Sequence, residues 1–344
     1  MRTVAEINVD PDNAVVHEQG WQSWSPSTEY RLGEGPHRPR GANRRIGAWR
    51  AESDPGPGVY CGEGLLAVDP GDGGPVTVVA AAAPTENVPS VHATAVSTVA
   101  GSTLVISANG EVVVRTDGGG GGIHGALARW ADGVVAGLPS PRPAPTIWCS
   151  WYQYFTAVTE ADIDANLVAL DALDLPVDVV QVDDGYQAGI GDWLRPSGRF
   201  ADTEGLFRRI ADRGRRGGIW TAPFLVGARS ALAREHPDWL VLGADGLPVG
   251  AGHNWDQDLF ALDTTHPAAI DYLRTVFTTF AGWGVDFYKI DFCYAGALPG
   301  RRHEDVPPIE AYRRGLRLIR GAIGDRAYLL GCGAPQLPSI GLVD

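Results

Sequence analysis

Short apolar runs alternate with polar loops and amphipathic segments along the chain from residue 146 onward. The runs are typical of buried strands, and the amphipathic segments repeat their apolar residues at helical spacing. In the first such segment Thr159 and Asp162 form a helix-start signal, and Ile163, Leu167 and Leu170 share one face. The predicted strands cover residues 146–152, 177–186, 217–225, 285–290 and 327–335.

This repeated strand-helix pattern predicts an α/β fold with a parallel sheet. Polar residues follow the apolar runs at their carboxyl ends, which favours a (β/α)8 barrel of the TIM type. A doubly wound open sheet is the alternative, although no glycine-rich phosphate-binding motif follows the first strand. Because such a barrel needs eight units and about five are recognisable, we expect an incomplete barrel and a sequence that is a fragment.

The first 140 residues have a different pattern. The runs 76–83 and 102–107 are β-branched or apolar, and glycine- and proline-containing turns separate the runs of this region. A glycine run at 118–122 and the proline-rich segment 139–145 indicate a module boundary. We therefore predict two domains, a β-rich module over residues 1–140 and a β/α barrel over residues 141–344.

Composition and charge narrow the classes of partner. The chain has 344 residues and a formal net charge of -13, which argues against nucleic acid or an anionic membrane as partner and favours a neutral or cationic ligand. No apolar run is long enough for a membrane span, and the first residues lack the apolar core of a signal peptide. The four cysteines have no metal-ligand spacing and suggest no disulfide framework, so we expect a cytoplasmic protein.

The candidate chemistry lies in the segment VDFYKIDF at 285–292. Lys289 and Asp291 interrupt an apolar run two residues apart, and Lys289 is the only lysine of the chain. Buried strands carry ionisable side chains where binding or chemistry needs them, although a structural ion pair is the plainer interpretation. Other polar or aromatic groups are assigned to the ends of the predicted strands. They are Trp151, Tyr152, Asp183, Asp184, Trp220 and Cys332.

Carboxylates, one ammonium group and tryptophan faces together predict a carbohydrate pocket. Asp291 is the candidate nucleophile of glycoside hydrolysis, and we expect Lys289 to hold it ionised at neutral pH. Asp183 and Asp184 are adjacent, so on an extended chain only one can face the pocket unless the loop turns there; a helix cap or turn is their alternative role. A metal site is disfavoured, because no histidine accompanies the aspartates and the lysine would compete with a cation.

Several motifs resemble the α-galactosidases of glycoside hydrolase family 36, in the clan that also holds family 27 and the raffinose synthases. They are GWQSWSP, WCSWYQYF, VDDGYQAGIGDW, GIWTAPF, HPDW, KIDFCYAGALPG and LLGCGAP. The resemblance implies an N-terminal β-sandwich, a (β/α)8 barrel, no cofactor, and a small-molecule α-galactoside of the melibiose or raffinose type as substrate. It implies retaining hydrolysis by double displacement through a galactosyl-aspartate.

The resemblance also implies a role for each motif residue. Asp291 matches the nucleophile, Asp183 and Asp184 match the pair that binds the O4 and O6 hydroxyls, and Lys289 matches a lysine that binds ring hydroxyls. Trp220, Trp151 and Tyr152 match pocket walls. Trp24 matches a tryptophan that reaches in from the sandwich, and Cys332 matches a residue near O2.

The family's acid/base aspartate belongs on the next barrel strand, and no residue here matches its motif. Asp344 lies near that place without matching it and is not assigned. We therefore expect the chain as written to be inactive on natural galactosides. The rival hypotheses are a raffinose-synthase-like galactosyltransferase, an α-N-acetylgalactosaminidase, an inactive sugar-binding fragment and, more distantly, a metal-dependent hydrolase. The sequence predicts no oligomeric state.

Overall fold

A computed structural model of the chain describes residues 1–35, 50, 55–56, 58–98 and 101–344. These residues form two compact units. The first comprises Met1–Pro139 together with Pro335–Gly341, and the second comprises Ser140–Ala334 together with Leu342–Asp344.

The first unit contains two antiparallel sheets, and its described strands are numbered in chain order. They are β1 (Arg2–Val9), β2 (Val15–Glu18), β3 (Thr28–Arg31), β4 (Val59–Glu63), β5 (Leu65–Asp69), β6 (Val76–Ala81), β7 (Ser90–Thr98), β8 (Gly101–Ala108) and β9 (Val112–Asp117). One sheet has the order β1-β8-β7-β4 and the other β3-β2-β5-β6-β9. Leu66 and Val79 of one sheet share a buried cluster with Val91 and Ile106 of the other, so the two sheets pack face to face.

Two helices belong to the first unit, α1 (Gly122–Val134) and α8 (Gln336–Ser339). Ile123 and Ala126 of α1 are buried against Leu65 and Val78, on the outer face of the second sheet. This helix explains why β5 and β6 are buried on both faces, since each face packs against another layer.

The second unit is built on a parallel sheet whose strand order follows the chain. Its strands are β10 (Ile147–Cys149), β11 (Val179–Val182), β12 (Arg216–Thr221), β16 (Val285–Ile290) and β17 (Tyr328–Gly331). Each neighbouring pair is parallel. The five strands predicted from the sequence are therefore present, and the parallel strand-helix architecture is confirmed.

The helices of the second unit come mainly between these strands. They are α2 (Trp151–Tyr154), α3 (Glu160–Ala172), α4 (Thr203–Asp212), α5 (Ala231–Glu235), α6 (Pro267–Gly282) and α7 (Pro308–Ile323). The predicted start of α3 is confirmed, because the Thr159 side chain accepts from the backbone of Asp162 while the Asp162 carboxylate accepts from the backbone of Thr159. Across the described residues, no helix is both long and apolar enough to span a bilayer.

The structure corrects the predicted strand ends. β12 ends at Thr221 rather than at residue 225, because Pro223 has no amide hydrogen to continue a ladder. Leu225–Gly227 instead form β13 of a small antiparallel sheet with β14 (Gly250–Asn254) and β15 (Gln257–Ala261), in the order β13-β15-β14. This inserted sheet lies in the chain between β12 and β16 and was not predicted.

Candidate active site

The carboxyl ends of three neighbouring strands bring the candidate residues together. Asp183 and Asp184 follow β11, Trp220 lies near the end of β12, and Asp291 follows β16. In the sheet register Trp220 is paired with Lys289. Parallel strands all end on the same edge of a sheet, so residues that are distant in sequence meet there.

Asp183 is the most fully compensated charge of the site. The residue is almost entirely buried, with 1% exposed. Oδ2 accepts from Lys289 Nζ at 2.9 Å and from Gln181 Nε2 at 2.6 Å, and Oδ1 accepts from the backbone N–H of Asp184 at 2.9 Å. Burial disfavours the charged form of Lys289, yet the Asp183 carboxylate more than offsets this and raises the pKa of the ammonium group. The ammonium group of Lys289 is therefore charged at neutral pH.

A neutral thiol completes the surroundings of Asp183. Cys149 Sγ lies 3.5 Å from Oδ2 of Asp183. Burial, and after it the nearby Asp183 carboxylate, raise the pKa of Cys149 to about 12. The thiol consequently acts as a weak donor and not as a nucleophile.

Asp291 is buried and held by two donors. The indole N–H of Trp220 donates to Oδ2 at 2.9 Å, and the backbone N–H of Phe292 donates to Oδ1 at 2.8 Å. Burial raises the pKa of Asp291, while the Trp220 hydrogen bond and the charge of Lys289 oppose that rise. Lys289 lowers the pKa of Asp291 in the expected direction, although its direct ion pair is with Asp183 and its effect on Asp291 is smaller than that of burial. That Asp291 is ionised at neutral pH stays a prediction.

The loop after β11 turns, so both adjacent aspartates are buried. The turn occurs at Gly185, whose φ of 122° is readily adopted only by glycine. Asp184 accepts from Gln187 Nε2 at Oδ1 and from the indole N–H of Trp255 at Oδ2, each at 2.7 Å. Burial raises the pKa of Asp184, against the effect of these two hydrogen bonds.

Trp255 is an aromatic residue of this cluster that was not predicted from the sequence. It lies at the tip of the β14–β15 hairpin, about 70 residues along the chain from its partner Asp184. The only signal in the sequence is NWDQ at 254–257, which lacks the glycine that usually identifies such a turn.

The remaining predicted residues lie less centrally or in the other unit. Trp151 is half-buried at the start of α2 and makes an edge contact with Phe155, whereas Tyr152 is 81% exposed. Cys332 follows β17, and its backbone N–H donates to the carbonyl of Ile290 at 2.8 Å, beside Asp291. Trp24 belongs to the first unit, where it is 42% exposed, and its predicted role stays a prediction.

Asp344 has a structural environment. Its carboxylate accepts from Arg142 at 2.6 Å, from Arg320 at 2.7 Å and from the backbone of Leu329 at 2.8 Å. These donors make Asp344 part of an ion-pair network with Arg142 and Arg320. Among the described residues, no group of three His, Cys, Asp or Glu side chains is placed to hold a metal ion.

The arrangement suits a polyhydroxylated ring. Buried carboxylates and an ammonium group can bind hydroxyls, and Trp220 and Trp255 are in edge contact, with centroids 6.3 Å apart, beside those carboxylates. A parallel β/α sheet with this site at its carboxyl edge defines the class of carbohydrate-active β/α enzymes.

Comparisons with known proteins identify the family. Residues 139–298 match the Melibiase family model. The α-galactosidase TtGalA from Thermus thermophilus, solved in complex with stachyose, is 31% identical, and the match covers 98% of this chain and 70% of that one with a TM-score of 0.79. The chain belongs to glycoside hydrolase family 36.

More distant relatives agree with this assignment. Alpha-galactosidase AgaA from Geobacillus stearothermophilus is 26% identical over 208 residues, which is 56% of this chain and 27% of the relative. Its crystal structure, described as GH36, shares the fold with a TM-score of 0.64 at 16% identity, over 98% of this chain and 50% of that one. The A type blood alpha-D-galactosamine galactosaminidase from Flavonifractor plautii is 26% identical over 231 residues, 59% of this chain and 21% of the relative. The matched segments thus span about a quarter of these curated relatives.

Proposed function

We propose that this protein hydrolyses terminal α-galactosides with retention of configuration. Asp291 attacks the anomeric carbon and forms a galactosyl-aspartate that water then hydrolyses. The observation that carries the proposal is the buried Asp291 carboxylate, oriented by the indole N–H of Trp220 beside the Asp183–Lys289 ion pair. Membership of family 36 supports it, as does the TtGalA relative, which was solved with p-nitrophenyl α-D-galactopyranoside and with stachyose.

The remaining site residues take binding roles in this proposal. Asp183, Asp184 and Lys289 bind ring hydroxyls, Trp220 and Trp151 form walls, and Cys332 lies on the side of β17. Lys289 and the Trp220 N–H stabilise negative charge on Asp291, which a nucleophile needs, against the effect of burial. The acid/base group is assigned to no residue of the chain.

The finer expectations from the sequence belong to the same proposal. These are a (β/α)8 barrel behind an N-terminal β-sandwich, domains over 1–140 and 141–344, substrates of the melibiose and raffinose type, and a cytoplasmic location. The five parallel strands in chain order and the two packed antiparallel sheets support the architectural part.

Covalent labelling tests the nucleophile. We expect an activated fluorogalactoside to label the peptide containing Asp291, because a good leaving group needs no protonation. Asp291→Asn should abolish the label, as measured by mass spectrometry of the intact chain and its peptides.

Asp286→Asn is the matched control. Asp286 lies on the same strand, is half exposed and pairs with Arg216 Nε at 2.7 Å, away from the site, so this variant should label like the parent. Label on a peptide without Asp291 would refute the assignment, and absence of galactose binding in calorimetry would refute the function itself.

A further inference from the structure

The tip of the β14–β15 hairpin has an unusual backbone. Asn254 and Gln257 are the last paired residues, so the connecting loop is Trp255 and Asp256 alone. Both have positive φ, 50° and 52°. Two-residue hairpin loops of this kind are normally built from Asn-Gly or Asp-Gly, because a bulky side chain in the left-handed region is strained. A tryptophan here is therefore costly for the turn.

Several hydrogen bonds fasten this tip. Arg229 donates from its guanidinium to the carbonyl of Trp255 at 2.5 Å, and its backbone N–H donates to the Gln257 side chain at 2.9 Å. The backbone N–H of Trp255 donates to Oδ1 of Asn254 at 2.8 Å. The surroundings thus hold a conformation that the turn residues themselves disfavour, which is typical of functional positions.

The side chain of Trp255 is the part that contacts the site. Its indole N–H donates to Asp184, and its ring contacts Trp220 on one side and Phe292 on the other, with centroids 6.3 Å and 5.4 Å away. Trp220 in turn donates its indole N–H to Asp291. Two indoles in contact therefore each fix one buried carboxylate of the site.

We propose that Trp255 is a positioning residue that sets sugar specificity by orienting Asp184. Its N–H occupies one lone pair of Oδ2 while Gln187 occupies one of Oδ1, so the carboxylate plane is fixed. One further lone pair on each Asp184 oxygen is left to accept a hydrogen bond from a sugar hydroxyl. This inference rests on the proposed function, because it assigns to Trp255 the selectivity of Asp184 within the proposed galactoside site.

Binding of galactose and its deoxy analogues to the Trp255→Phe variant tests the proposal. Phenylalanine keeps an aromatic ring beside Trp220 but removes the N–H donor. We expect about a tenfold loss of galactose affinity in calorimetry, the size of one hydrogen bond to a charged group. For 4-deoxygalactose or 6-deoxygalactose, whichever lacks the hydroxyl that Asp184 binds, the variant and the parent should bind alike.

Trp283→Phe is the matched control, because Trp283 is equally half-buried but stacks on Phe207 at the end of α6. It should bind all three sugars like the parent. If Trp255→Phe does not fold, Arg229→Gln loosens the same tip from an exposed position, and it should weaken galactose binding with the same pattern among the analogues.

Two outcomes overturn the proposal. One is unchanged galactose affinity in Trp255→Phe, and the other is an equal loss for galactose and both deoxy sugars, which would make the ring a wall without influence on Asp184. A parent protein that binds no galactose would instead refute the proposed function, so the two failures are distinguishable.

Discussion

As the proposed nucleophile, Asp291 must satisfy two opposing requirements. Burial excludes water from the reacting carboxylate but raises its pKa, and a nucleophile has to be ionised. The ionised form is favoured by two hydrogen-bond donors, the Trp220 indole N–H and the Phe292 backbone N–H, and by the nearby positive charge of Lys289. In the proposed reaction, a buried and only partly compensated charge of this kind stabilises the transition state. The same charge lowers the stability of the folded protein.

Replacement of Asp291 by asparagine should therefore stabilise the protein at neutral pH. The folded-state pKa is raised, so the folded protein holds the proton more tightly than the unfolded chain. The Asp291 carboxyl therefore contributes most to the free energy of unfolding below its pKa in the unfolded chain, near 3.8. That contribution is lost as the pH rises through its higher pKa in the folded protein. We expect Asp291→Asn to gain about 0.5–2 kcal/mol at pH 7, as single stabilising substitutions commonly do.

Urea unfolding of both proteins across the acid range measures this effect. The advantage of Asp291→Asn should shrink as the pH falls below the folded pKa of Asp291, because the parent then carries a neutral carboxyl. A variant that is less stable than the parent at pH 7 would contradict the prediction.

At the residue scale, the sequence predicted residues that lie together in the candidate site but not all of their contacts. Lys289 and Asp291 stand out in an apolar run, and the structure places them with Asp183 and Trp220 at one sheet edge. Trp255 could not be found, because its partner Asp184 is distant in sequence and its turn breaks the usual hairpin rule. Propensity describes a residue's own backbone preference. At Trp255 that preference is overridden by hydrogen bonds to residues distant in sequence, Arg229 and Asp184.

At the scale of elements, periodicity predicted which segments form strands and helices better than where they end. β16 has the predicted bounds, 285–290, but the other four parallel strands are shorter than predicted, since polar turns begin inside their apolar runs: β11 ends at Val182 and β10 at Cys149. The inserted sheet was missed because β14 reads GAGHN, which lacks the β-branched residues typical of strands. Its hydrogen bonds and its partner β15 hold it in place instead.

Two glycines of α7 should respond in opposite ways to alanine. A Cβ at Gly315 would lie 2.6 Å from Phe224 Cε1, whereas a Cβ at Gly321 would meet nothing within 4 Å. Alanine normally favours a helix over glycine, so Gly321→Ala should stabilise the protein by about 0.5–1 kcal/mol. Gly315→Ala should destabilise it by about 1–3 kcal/mol, because overpacking outweighs helix propensity.

Chemical denaturation of the two variants tests this directly, each serving as the control for the other. If both raised the unfolding midpoint, α7 would be free to move away from Phe224, and the close packing of this helix would have no energetic consequence.

At the scale of the whole molecule, the sequence distinguished two patterns, and the structure contains two compact units. A return of Pro335–Gly341 to the first unit was not predictable, because seven residues carry no periodic signal of their own. Closure of the parallel sheet into an eight-stranded barrel stays a prediction.

Lys289 is the only lysine of the chain, because arginine occupies every other Lys or Arg position. Amines react in the neutral form, and Asp183 raises the pKa of this one despite its burial. We expect reductive methylation of the folded protein to modify the α-amine of the chain and to spare Lys289, and to modify both after unfolding, as judged by peptide mass spectrometry. The unfolded sample is the positive control, and rapid modification of Lys289 in the folded protein would contradict the ion pair.

Because the chain has a single lysine, that residue can also serve as a built-in spectroscopic probe. Growth on lysine enriched with nitrogen-15 at Nζ alone would place the isotope at one atom, the Nζ that lies 2.9 Å from Asp183. A magnetic resonance spectrum with a single side-chain peak would then follow occupancy of the pocket by any candidate sugar, with no foreign dye and no assignment problem.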